Sequence, residues 1–276
     1  MRLAVSAPFC IPYITRMNVL LDPESHPVIG HRGNRAYAPE NTVESFAQAV
    51  ALGADAIEFD VRLSADGIPV VHHDPTFART TDGTGEVART NFVDLRGFDA
   101  GANFTRDGGK TFPYRGAGHR IPAFEEVVDA FPSTSLLIEI KNPLAAGAVR
   151  EVLEGKKAES RALVDAFDEL TVRRFAGSKI AYGASRNDVA RLMGQVLLGL
   201  PVSGMNYQAL CVPLSYKGLP LPVRGFAKAA RAQNVRVHVW TINDPDVAVS
   251  LWRSGVNGII SDDPGLILKA KRSFKP

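Results

Sequence analysis

The sequence predicts an α/β protein with a parallel β-sheet, either closed as a (β/α)₈ barrel or open and doubly wound. Three observations support this prediction. Short runs of β-branched and aromatic residues alternate with amphipathic helical segments. The length of 276 residues suits a single barrel, which typically takes about 250 residues. Polar residues that can carry chemistry interrupt several apolar runs at their C-terminal ends.

Nine segments have the composition of buried strands. They are Val28–Gly30, Ala56–Asp60, Pro69–His73, Leu136–Ile140, Arg161–Phe167, Lys179–Gly183, Ala209–Val212, Val235–Trp240 and Gly258–Ser261. The second and third are joined through Ser64-Ala65-Asp66-Gly67, which is shorter than the dozen or so residues that a parallel crossover needs. One of the nine is therefore expected to lie outside a barrel of eight, as a hairpin excursion or a terminal cap.

Amphipathic helices are predicted between these strands. In Thr42–Leu52 the apolar residues fall on one helical face, Asn41 and Glu44 are spaced as a capping box, and Gly53 is a C-terminal stop. Similar patterns predict helices at Ala123–Ala130, Leu144–Lys157, Asp188–Leu198, Val223–Gln233 and Asp246–Arg253.

Two parts of the chain fall outside this alternation. Residues 75–118 are rich in Gly, Thr, Arg and Asp, and so long a loop in a compact domain is typical of a functional insertion. Because it directly follows His73, we expect it to overhang the same end of the barrel. Residues 1–25 are predicted to be an irregular leader, with Met17 as an alternative start. No linker or internal repeat divides the chain, so one domain is predicted over 1–276.

Composition excludes several classes of protein. A net charge of +3 without a Lys/Arg block argues against a nucleic-acid partner. No apolar run reaches the roughly 18 residues of a membrane span. Cys10 and Cys211 lack the spacing of a disulfide framework or zinc site, which favours a reducing, cytoplasmic location. The apolar stretch from Leu3 to Ile14 makes secretion the alternative, although two prolines interrupt it.

Residues suited to catalysis lie at the ends of predicted strands. Glu58 and Asp60 are two residues apart and share one face of their strand, and Glu139 ends another apolar strand. His31 closes the first strand, and His72-His73 closes the third. Barrel enzymes place their active sites at these C-terminal ends. Three neighbouring carboxylates need a compensating positive charge, and ligation by oxygen alone suits Mg²⁺ or Ca²⁺.

Taken singly, each of these signals also has a structural explanation. A Glu-x-Asp pair is more often a solvated or salt-bridged face, and Lys141 can simply neutralise Glu139. His72 and His73 point to opposite faces, so the pattern does not choose between them. The coincidence of two carboxylate strands and two histidine strands favours the functional interpretation.

Several other residues have both a functional and a structural interpretation. Trp240 suits an aromatic wall and a core position equally, and Glu40 suits orientation of His31 or Arg32. The segment Asp262-Asp263-Pro264 has the pattern of an acidic helix N-terminus, and Asp188 is likewise expected to be a cap.

Seven sequence blocks occur in the order found in the glycerophosphodiester phosphodiesterase family, which the chain resembles from about Val28 to Leu266. They are His31-Arg32-Gly33, Ala38-Pro39-Glu40-Asn41-Thr42, Ile57-Glu58-Phe59-Asp60-Val61, Val70-Val71-His72-His73-Asp74-Pro75, Arg79-Thr80-Thr81-Asp82-Gly83, Ile138-Glu139-Ile140-Lys141 and Val239-Trp240-Thr241-Ile242-Asn243. Seven ordered blocks are a far more specific signal than one short motif.

The resemblance implies a TIM (β/α)₈ barrel with a loop-rich insertion after the strand that bears His73-Asp74-Pro75. It also implies three sets of site residues: His31 and His73 as the catalytic acid/base pair; Glu58, Asp60 and Glu139 as ligands of one divalent cation, Mg²⁺ or Ca²⁺; and Arg32, Lys141 and Trp240 as substrate-binding residues. The oligomeric state is not defined by these residues.

The reaction implied is hydrolysis of a small-molecule glycerophosphodiester to sn-glycerol 3-phosphate and an alcohol, through attack by the glycerol 2-hydroxyl and a cyclic phosphate. A lysophospholipase D or sphingomyelinase D-like activity is the alternative, and a non-catalytic module for phosphorylated polyols is less favoured. The chain departs from the family at Asp165-Ala166-Phe167-Asp168, where a Ser-Phe-Asp block is usual, and at Cys211, where a polar residue is common. Both departures bear on the choice of substrate.

Overall fold

A computed structural model describes residues 18–275 and contains eleven β-strands in this range. They are β1 (Val28–His31), β2 (Ala56–Leu63), β3 (Pro69–Val71), β4 (Ser135–Ile140), β5 (Ala162–Asp165), β6 (Ala181–Tyr182), β7 (Ala209–Pro213), β8 (Ser215–Tyr216), β9 (Leu219–Pro220), β10 (Arg236–Trp240) and β11 (Gly258–Ser261). Eight of them form a parallel barrel in the order β1, β2, β4, β5, β6, β7, β10, β11 and back to β1. A bridge between Gly183 and Ala209 links β6 to β7. The predicted TIM barrel is confirmed.

Helices alternate with the barrel strands. They are α1 (Val43–Leu52), α2 (Phe92–Leu95), α3 (Phe124–Ala130), α4 (Ala146–Gly155), α5 (Glu169–Arg173), α6 (Arg186–Leu197), α7 (Val223–Ala232), α8 (Pro245–Arg253) and α9 (Pro264–Ser273). All six predicted helices are present with ends within two residues of the prediction. The short α2 and α5 were not predicted, because four or five residues are too few to show a helical period.

The caps of these helices differ in part from the prediction. Thr42, rather than Asn41, caps α1 by accepting a hydrogen bond from the Ser45 backbone N–H, so the predicted Asn41/Glu44 capping box is wrong. Gly53 ends α1 in the left-handed conformation, as predicted. Asp188 closes a capping box with Ser185 at the start of α6.

The predicted strand that lies outside the barrel is Pro69–His73, and it forms a hairpin excursion. β3 runs antiparallel to β2, with Leu63 opposite Pro69 and Val61 opposite Val71. The turn between them is held by Ser64, whose side chain accepts from the Ile68 N–H at 2.9 Å. The hairpin starts beyond the end of the barrel and brings the chain back to the level of Asp60, whose carbonyl oxygen accepts from the His72 N–H at 2.9 Å. His72 and His73 therefore lie at the mouth of the barrel.

The barrel interior is apolar in its middle and polar at the C-terminal ends of its strands. Side chains alternate along each strand, and outward residues such as Phe59 pack against the surrounding helices. The inward set forms a separate cluster of Leu20, Ile29, Ala56, Leu137, Leu163, Ala181, Ala209 and Ile260. Two residues further along β1, β4 and β5 stand His31, Glu139 and Asp165. The alternation that fills the interior therefore places polar side chains directly above it, at the C-terminal mouth.

The segment before β1 lies against the opposite end of the barrel. Leu20 is fully buried in the interior cluster, and its carbonyl oxygen lies 2.9 Å from His238 Nε2. Burial lowers the pKa of His238 to about 4, so this ring is neutral at pH 7. The rest of the predicted leader, with Cys10 and Met17, lies outside the described residues. No helix within residues 18–275 is long and apolar enough to span a membrane.

The 75–118 insertion is loop-rich, as predicted, with a small core of its own. Phe77 stacks on Phe98 with ring centroids 4.7 Å apart, and Val87 and Leu95 are buried beside them. The insertion contacts the loop after β1 through Arg79, whose guanidinium donates to both Glu40 carboxylate oxygens at 2.6 and 2.9 Å. It therefore overhangs the C-terminal mouth.

The turn after β1 tolerates only glycine at position 33. Gly33 has φ +87°, and a Cβ there would lie 2.5 Å from the Ser45 carbonyl carbon. Gly67 has a similar φ of +82° but open space around its Cβ position.

We expect Gly67→Ala to lower the free energy of unfolding by about 1 kcal/mol from backbone strain alone. Gly33→Ala should cost roughly 3 kcal/mol or more, because steric overlap adds to the strain. Urea unfolding of both variants measures the difference, and equal costs would refute the overlap.

Candidate active site

A cavity of about 370 Å³ opens at the C-terminal mouth of the barrel. Seven of the eight predicted site residues line it: His31, Arg32, Glu58, His73, Glu139, Lys141 and Trp240. The eighth, Asp60, is fully buried and makes ion pairs with two of them. A larger groove of about 1010 Å³ lies at the opposite end of the barrel and contains none of these residues. The mouth is therefore where the structure brings the predicted residues together.

Three carboxylates meet at this mouth. Each of Glu58, Asp60 and Glu139 offers one oxygen to a group whose members lie within 4.8 Å of one another. Lys141 Nζ stands 2.6 Å from Glu139 Oε1 and 3.2 Å from Asp60 Oδ1. Arg32 contacts Asp60 Oδ2 through Nε at 3.0 Å and donates its backbone N–H to Glu58 at 2.8 Å. Three negative charges thus face two positive ones.

Asn41 supports the same cluster. Its side-chain Nδ2 donates to Asp60 Oδ2 at 2.9 Å, and its Oδ1 accepts from the Asp60 N–H at 3.3 Å. The backbone of Asn41 is left-handed, with φ +58°, a conformation that asparagine adopts more readily than most residues. Sequence analysis placed Asn41 in a helix cap and missed this contact.

The charge imbalance shifts the pKa values of the carboxylates. Burial, together with the charges of Asp60 and Glu139, raises the pKa of Glu58 well above its ordinary range. Burial also raises the pKa of Glu139, and the neighbouring Lys141 only partly opposes it. Burial pushes the pKa of Asp60 upward too, but the Lys141 and Arg32 cations outweigh it and leave that pKa below the usual value.

The donor set fits a hard divalent cation. Although Lys141 is close, neither Asp60 Oδ1 nor Glu139 Oε1 receives a hydrogen bond of good geometry, and both are buried. Unsatisfied buried carboxylate oxygens are costly, and a cation with oxygen ligands would satisfy them. Glu58, Asp60 and Glu139 are the described residues that group in this way.

Metal affinity is expected to rise with pH. Because burial raises the pKa values of Glu58 and Glu139, each carboxylate holds more of its proton at a given acidic pH than an ordinary glutamate does, and metal binding has to release it. Calorimetric titration of Mg²⁺ at several pH values checks this. Glu58→Gln should weaken binding and flatten the pH dependence, whereas an affinity that is the same at every pH would contradict the expectation.

A carboxylate outside the cluster holds the first candidate acid/base residue. His31 Nδ1 lies 2.6 Å from Asp262 Oδ1, and His31 Nε2 lies 4.0 Å from Glu58 Oε2. Asn243 Nδ2 donates to the other oxygen of Asp262 at 3.1 Å. With Nδ1 donating to Asp262, the ring presents Nε2 to the cluster. Burial lowers the pKa of His31, and the hydrogen bond to Asp262 opposes that shift.

Asp262 corrects part of the predicted helix cap. Asp263 caps α9, as predicted, by accepting from the Leu266 N–H at 3.0 Å. Asp262 does not cap the helix but serves His31, which is 231 positions away in the chain. Its position just after β11 is the same strand-end signal that identified the other site residues, but that signal places Asp262 only at the mouth and does not indicate His31 as its partner.

His73 has the same arrangement with a neighbouring residue. Its Nδ1 lies 2.6 Å from Asp74 Oδ1, and Arg79 Nε donates to Asp74 Oδ2 at 2.5 Å. His72 points elsewhere: it is buried, with Nδ1 2.9 Å from the Asp74 carbonyl oxygen and Nε2 3.1 Å from Thr80 Oγ1. His73, and not His72, therefore lines the cavity.

Loss of the Asp262 carboxylate is expected to lower the pKa of His31 further. The hydrogen bond and the charge of Asp262 both raise this pKa, so Asp262→Asn should move the His31 titration to lower pH. NMR titration of the histidine Cε1–H signals measures it. Asp263→Asn is the matched control: it removes the adjacent carboxylate charge but not the contact with His31, so the titration should stay in place. A shift in the control, or none in Asp262→Asn, would count against this role.

Glu40 organises the cationic side of the mouth. Its Oε1 accepts from Arg32 Nη1 at 2.7 Å, and Arg79 donates to both oxygens. Burial alone would raise the pKa of Glu40, but the Arg79 hydrogen bonds and the Arg32 charge hold it well below its usual range. Of the two partners expected for Glu40, the structure gives Arg32.

The opposite wall of the mouth carries the chain's departures from the family pattern. Phe167 and Trp240 meet edge to face with ring centroids 6.5 Å apart. Asp165 on β5 and Cys211 on β7 also line this side of the cavity. Burial and the negative charge of Glu139 raise the pKa of Asp165 well above its ordinary value.

A closed parallel barrel with buried carboxylates and histidines at its C-terminal mouth is the architecture of a TIM-barrel enzyme. Residues 31–266 match the model of the "Glycerophosphoryl diester phosphodiesterase family", and the chain belongs to this family.

Known proteins of the same family resemble the chain over most of its length. A glycerophosphodiester phosphodiesterase of Caldanaerobacter subterraneus subsp. tengcongensis is 30% identical over 89% of this chain and 97% of its own. The structure of an Oleispira antarctica phosphodiesterase in complex with the product sn-glycerol-3-phosphate is 28% identical, with a TM-score of 0.72 over 89% of this chain and 96% of that one. A glycerophosphoryl diester phosphodiesterase domain from Mycobacterium tuberculosis shares the fold, with a TM-score of 0.78 over 91% of this chain and 100% of its own.

Proposed function

We propose that the protein hydrolyses glycerophosphodiesters to sn-glycerol 3-phosphate and an alcohol, with one divalent cation, Mg²⁺ or Ca²⁺, at the barrel mouth. The observation that carries the proposal is the grouping of three carboxylates, two histidines and two cationic side chains around one cavity, in a chain of this family. The product bound to the Oleispira antarctica relative supports the same substrate class.

The first requirement of the reaction is to neutralise an anionic diester. Arg32 and Lys141 line the cavity and are suited to contact the non-bridging phosphate oxygens. Glu58, Asp60 and Glu139 would hold the cation, which when bound supplies Lewis-acid stabilisation of the negative charge that develops on phosphate. Glu40 and Asp60 keep the Arg32 guanidinium in place through ion pairs at 2.7 and 3.0 Å.

The second requirement is proton transfer at both ends of the scissile bond. In our proposal one of His31 and His73 accepts a proton from the nucleophile and the other gives one to the departing alkoxide. The carboxylates of Asp262 and Asp74 each occupy Nδ1, which leaves Nε2 for the reacting oxygens. Burial lowers the pKa of both rings, so the neutral, proton-accepting form is available near pH 7 for the base. The ring that acts as the acid enters the step protonated at Nε2, and the hydrogen bond to its carboxylate partner favours that charged form.

The proposed nucleophile is the glycerol 2-hydroxyl of the substrate, which would give a cyclic phosphate that water then opens. Trapping the cyclic phosphate in a rapid-quench experiment would support this route. Full-rate turnover of a diester that lacks the neighbouring hydroxyl would exclude it.

Two sets of variants separate metal binding from proton transfer. Glu58→Ala and Glu139→Ala should lose cation binding and turnover together. His31→Ala and His73→Asn should bind the cation normally and lose turnover by roughly 10²- to 10⁴-fold, the usual contribution of a general acid or base. EDTA should abolish wild-type activity, and added Mg²⁺ or Ca²⁺ should restore it. Release of glycerol 3-phosphate and calorimetric cation binding are the measurements.

His72→Asn is the matched control for His73→Asn, because the two residues are adjacent and only His73 lines the cavity. It should retain most of the activity. Equal losses in the two variants, or undiminished rates in all of them, would refute the assignment.

A lysophospholipase D or sphingomyelinase D-like activity is the alternative reaction. Inclusion of one lysolipid in the substrate panel distinguishes it, since our proposal predicts faster turnover of the water-soluble glycerophosphodiesters. A preference for the lysolipid would favour the alternative.

A further inference from the structure

The cavity at the barrel mouth has two chemically different halves. The ends of β1, β2 and β4 contribute the histidine, carboxylate and cationic groups that the proposed function assigns to phosphate and metal. The ends of β5, β7 and β10 contribute a different set: Asp165, Cys211 and Trp240, with Phe167 just after β5. If the first half holds the phosphate, as the proposed function has it, the second half is the part of the cavity that is left for the organic part of the ester.

Asp165 differs from the other carboxylates of the mouth in having no cationic side chain of the described chain within ion-pair distance, and the Lys141 charge acts on it only from farther away. Asp60 contacts Arg32 and Lys141, and Glu139 contacts Lys141. Glu58 Oε2 lies 4.0 Å from His31 Nε2 and accepts the Arg32 backbone N–H. Among residues 18–275, no Lys, Arg or His nitrogen makes an ion pair with Asp165, and its Oδ1 is shielded from solvent without a hydrogen bond. Asp165 lies opposite Glu139 in the β4–β5 register, so its neighbour on β4 is a second carboxylate and not a cation.

The Asp165 carboxylate packs against Gly183, the residue just after β6. A Cβ on Gly183 would collide with Asp165 Oδ1, so the carboxylate occupies space that only glycine leaves free. Gly183 also anchors β6, because its N–H donates to the Val164 carbonyl at 2.8 Å and it bridges to Ala209. The carboxyl group therefore packs directly against this backbone. Burial and the Glu139 charge raise its pKa and favour the protonated form, whereas a hydroxyl or ammonium donor from a ligand would favour the ionised, accepting form.

We propose that Asp165 is a specificity-determining residue, which accepts a hydrogen bond from a hydroxyl or ammonium group on the organic part of the substrate. This inference rests on the proposed function. The edge-to-face pair of Phe167 and Trp240 offers apolar surface to the carbon atoms beside that donor. The donor group belongs either to the glycerol moiety or to the alcohol that is released, and the two origins are separated by experiment.

The first experiment compares Asp165→Asn with wild type on three diesters: glycerophosphoethanolamine, glycerophosphocholine and glycerophosphoglycerol. We expect kcat/KM to fall roughly 10- to 100-fold, as for the loss of one charge-assisted hydrogen bond, while Mg²⁺ affinity stays within about threefold. A uniform loss assigns the donor to glycerol. A loss that spares glycerophosphocholine, whose headgroup has no N–H, assigns it to the released alcohol. Either pattern supports the proposal.

Asp168→Asn is the matched control. Asp168 is three residues from Asp165 but does not line the cavity, and its carboxylate caps α5 by accepting from the Thr171 N–H at 2.8 Å. This variant should keep its kcat/KM on all three diesters, because the asparagine oxygen can also accept from the Thr171 N–H and preserve the cap. A loss of kcat/KM equal to that of Asp165→Asn would show that the effect is structural and would overturn the proposal.

The second experiment measures binding without turnover. Calorimetry in the presence of Mg²⁺ compares sn-glycerol 3-phosphate with propyl phosphate, which has no hydroxyl group, in wild type and in Asp165→Asn. A glycerol contact predicts that wild type prefers glycerol 3-phosphate by about tenfold or more and that the variant loses most of this preference.

The two experiments together distinguish failure of this inference from failure of the proposed function. If wild type turns over the diesters and Asp165→Asn matches it within about twofold in every rate and binding constant, the inference on Asp165 alone is overturned. If wild type turns over none of the diesters, the proposed function fails. The inference is then decided by calorimetric binding of sn-glycerol 3-phosphate and of the uncleaved glycerophosphoethanolamine, and equal binding of both ligands by the two proteins would overturn it.

Discussion

The site depends on one electrostatic constraint: the barrel buries more negative charge than its own cations balance. Glu58, Asp60 and Glu139 converge within 4.8 Å, and among residues 18–275 the Lys and Arg side chains that form ion pairs with them are Arg32 and Lys141. In a medium of low polarity such an excess is unfavourable unless protons or a cation take it up. Uptake of protons is one way to relieve the excess charge, and the raised pKa values of Glu58 and Glu139 reflect it. Binding of a divalent cation is the second way, and it leaves the carboxylates ionised.

The groups around the cluster are held by a continuous chain of charged contacts. It runs from His73 through Asp74, Arg79, Glu40 and Arg32 to Asp60. Arg79 belongs to the insertion, so the loops that overhang the mouth share contacts with both a candidate acid/base residue and a candidate phosphate-binding residue. Asp262 plays the corresponding part for His31 from the far end of the sequence. In both histidines Nδ1 is held by a carboxylate, and Nε2 remains available to the cavity.

Much of this arrangement follows from the sequence because strand alternation is a short-range rule. The two-residue spacing of Glu58 and Asp60 put both on the inward face of β2, and the apolar runs before His31 and Glu139 put those residues at strand ends. The short connection before Pro69 similarly excluded a parallel strand, and β3 is the hairpin that this implies. Local pattern and local geometry agree at these positions.

The unpredicted features depend on pairings between distant segments. Asp262 and His31 meet because β1 and β11 close the barrel, with Val28 opposite Ile259, and no local pattern specifies that register. Asn41 has the sequence signature of a cap, but its left-handed backbone turns the amide toward Asp60. The choice between His72 and His73 likewise needed either the family resemblance or the path of the chain after β3. Asp165 could be recognised as a departure, but its isolation from cations is a property of the folded mouth.

The most direct test of this account is a crystal structure grown with Mn²⁺ and measured at the manganese absorption edge. The account predicts one anomalous peak about 2.0–2.3 Å from one oxygen each of Glu58, Asp60 and Glu139, with Lys141 Nζ displaced from Glu139. A mouth without such a peak at saturating Mn²⁺, in which Lys141 keeps its contact with Glu139, would contradict it.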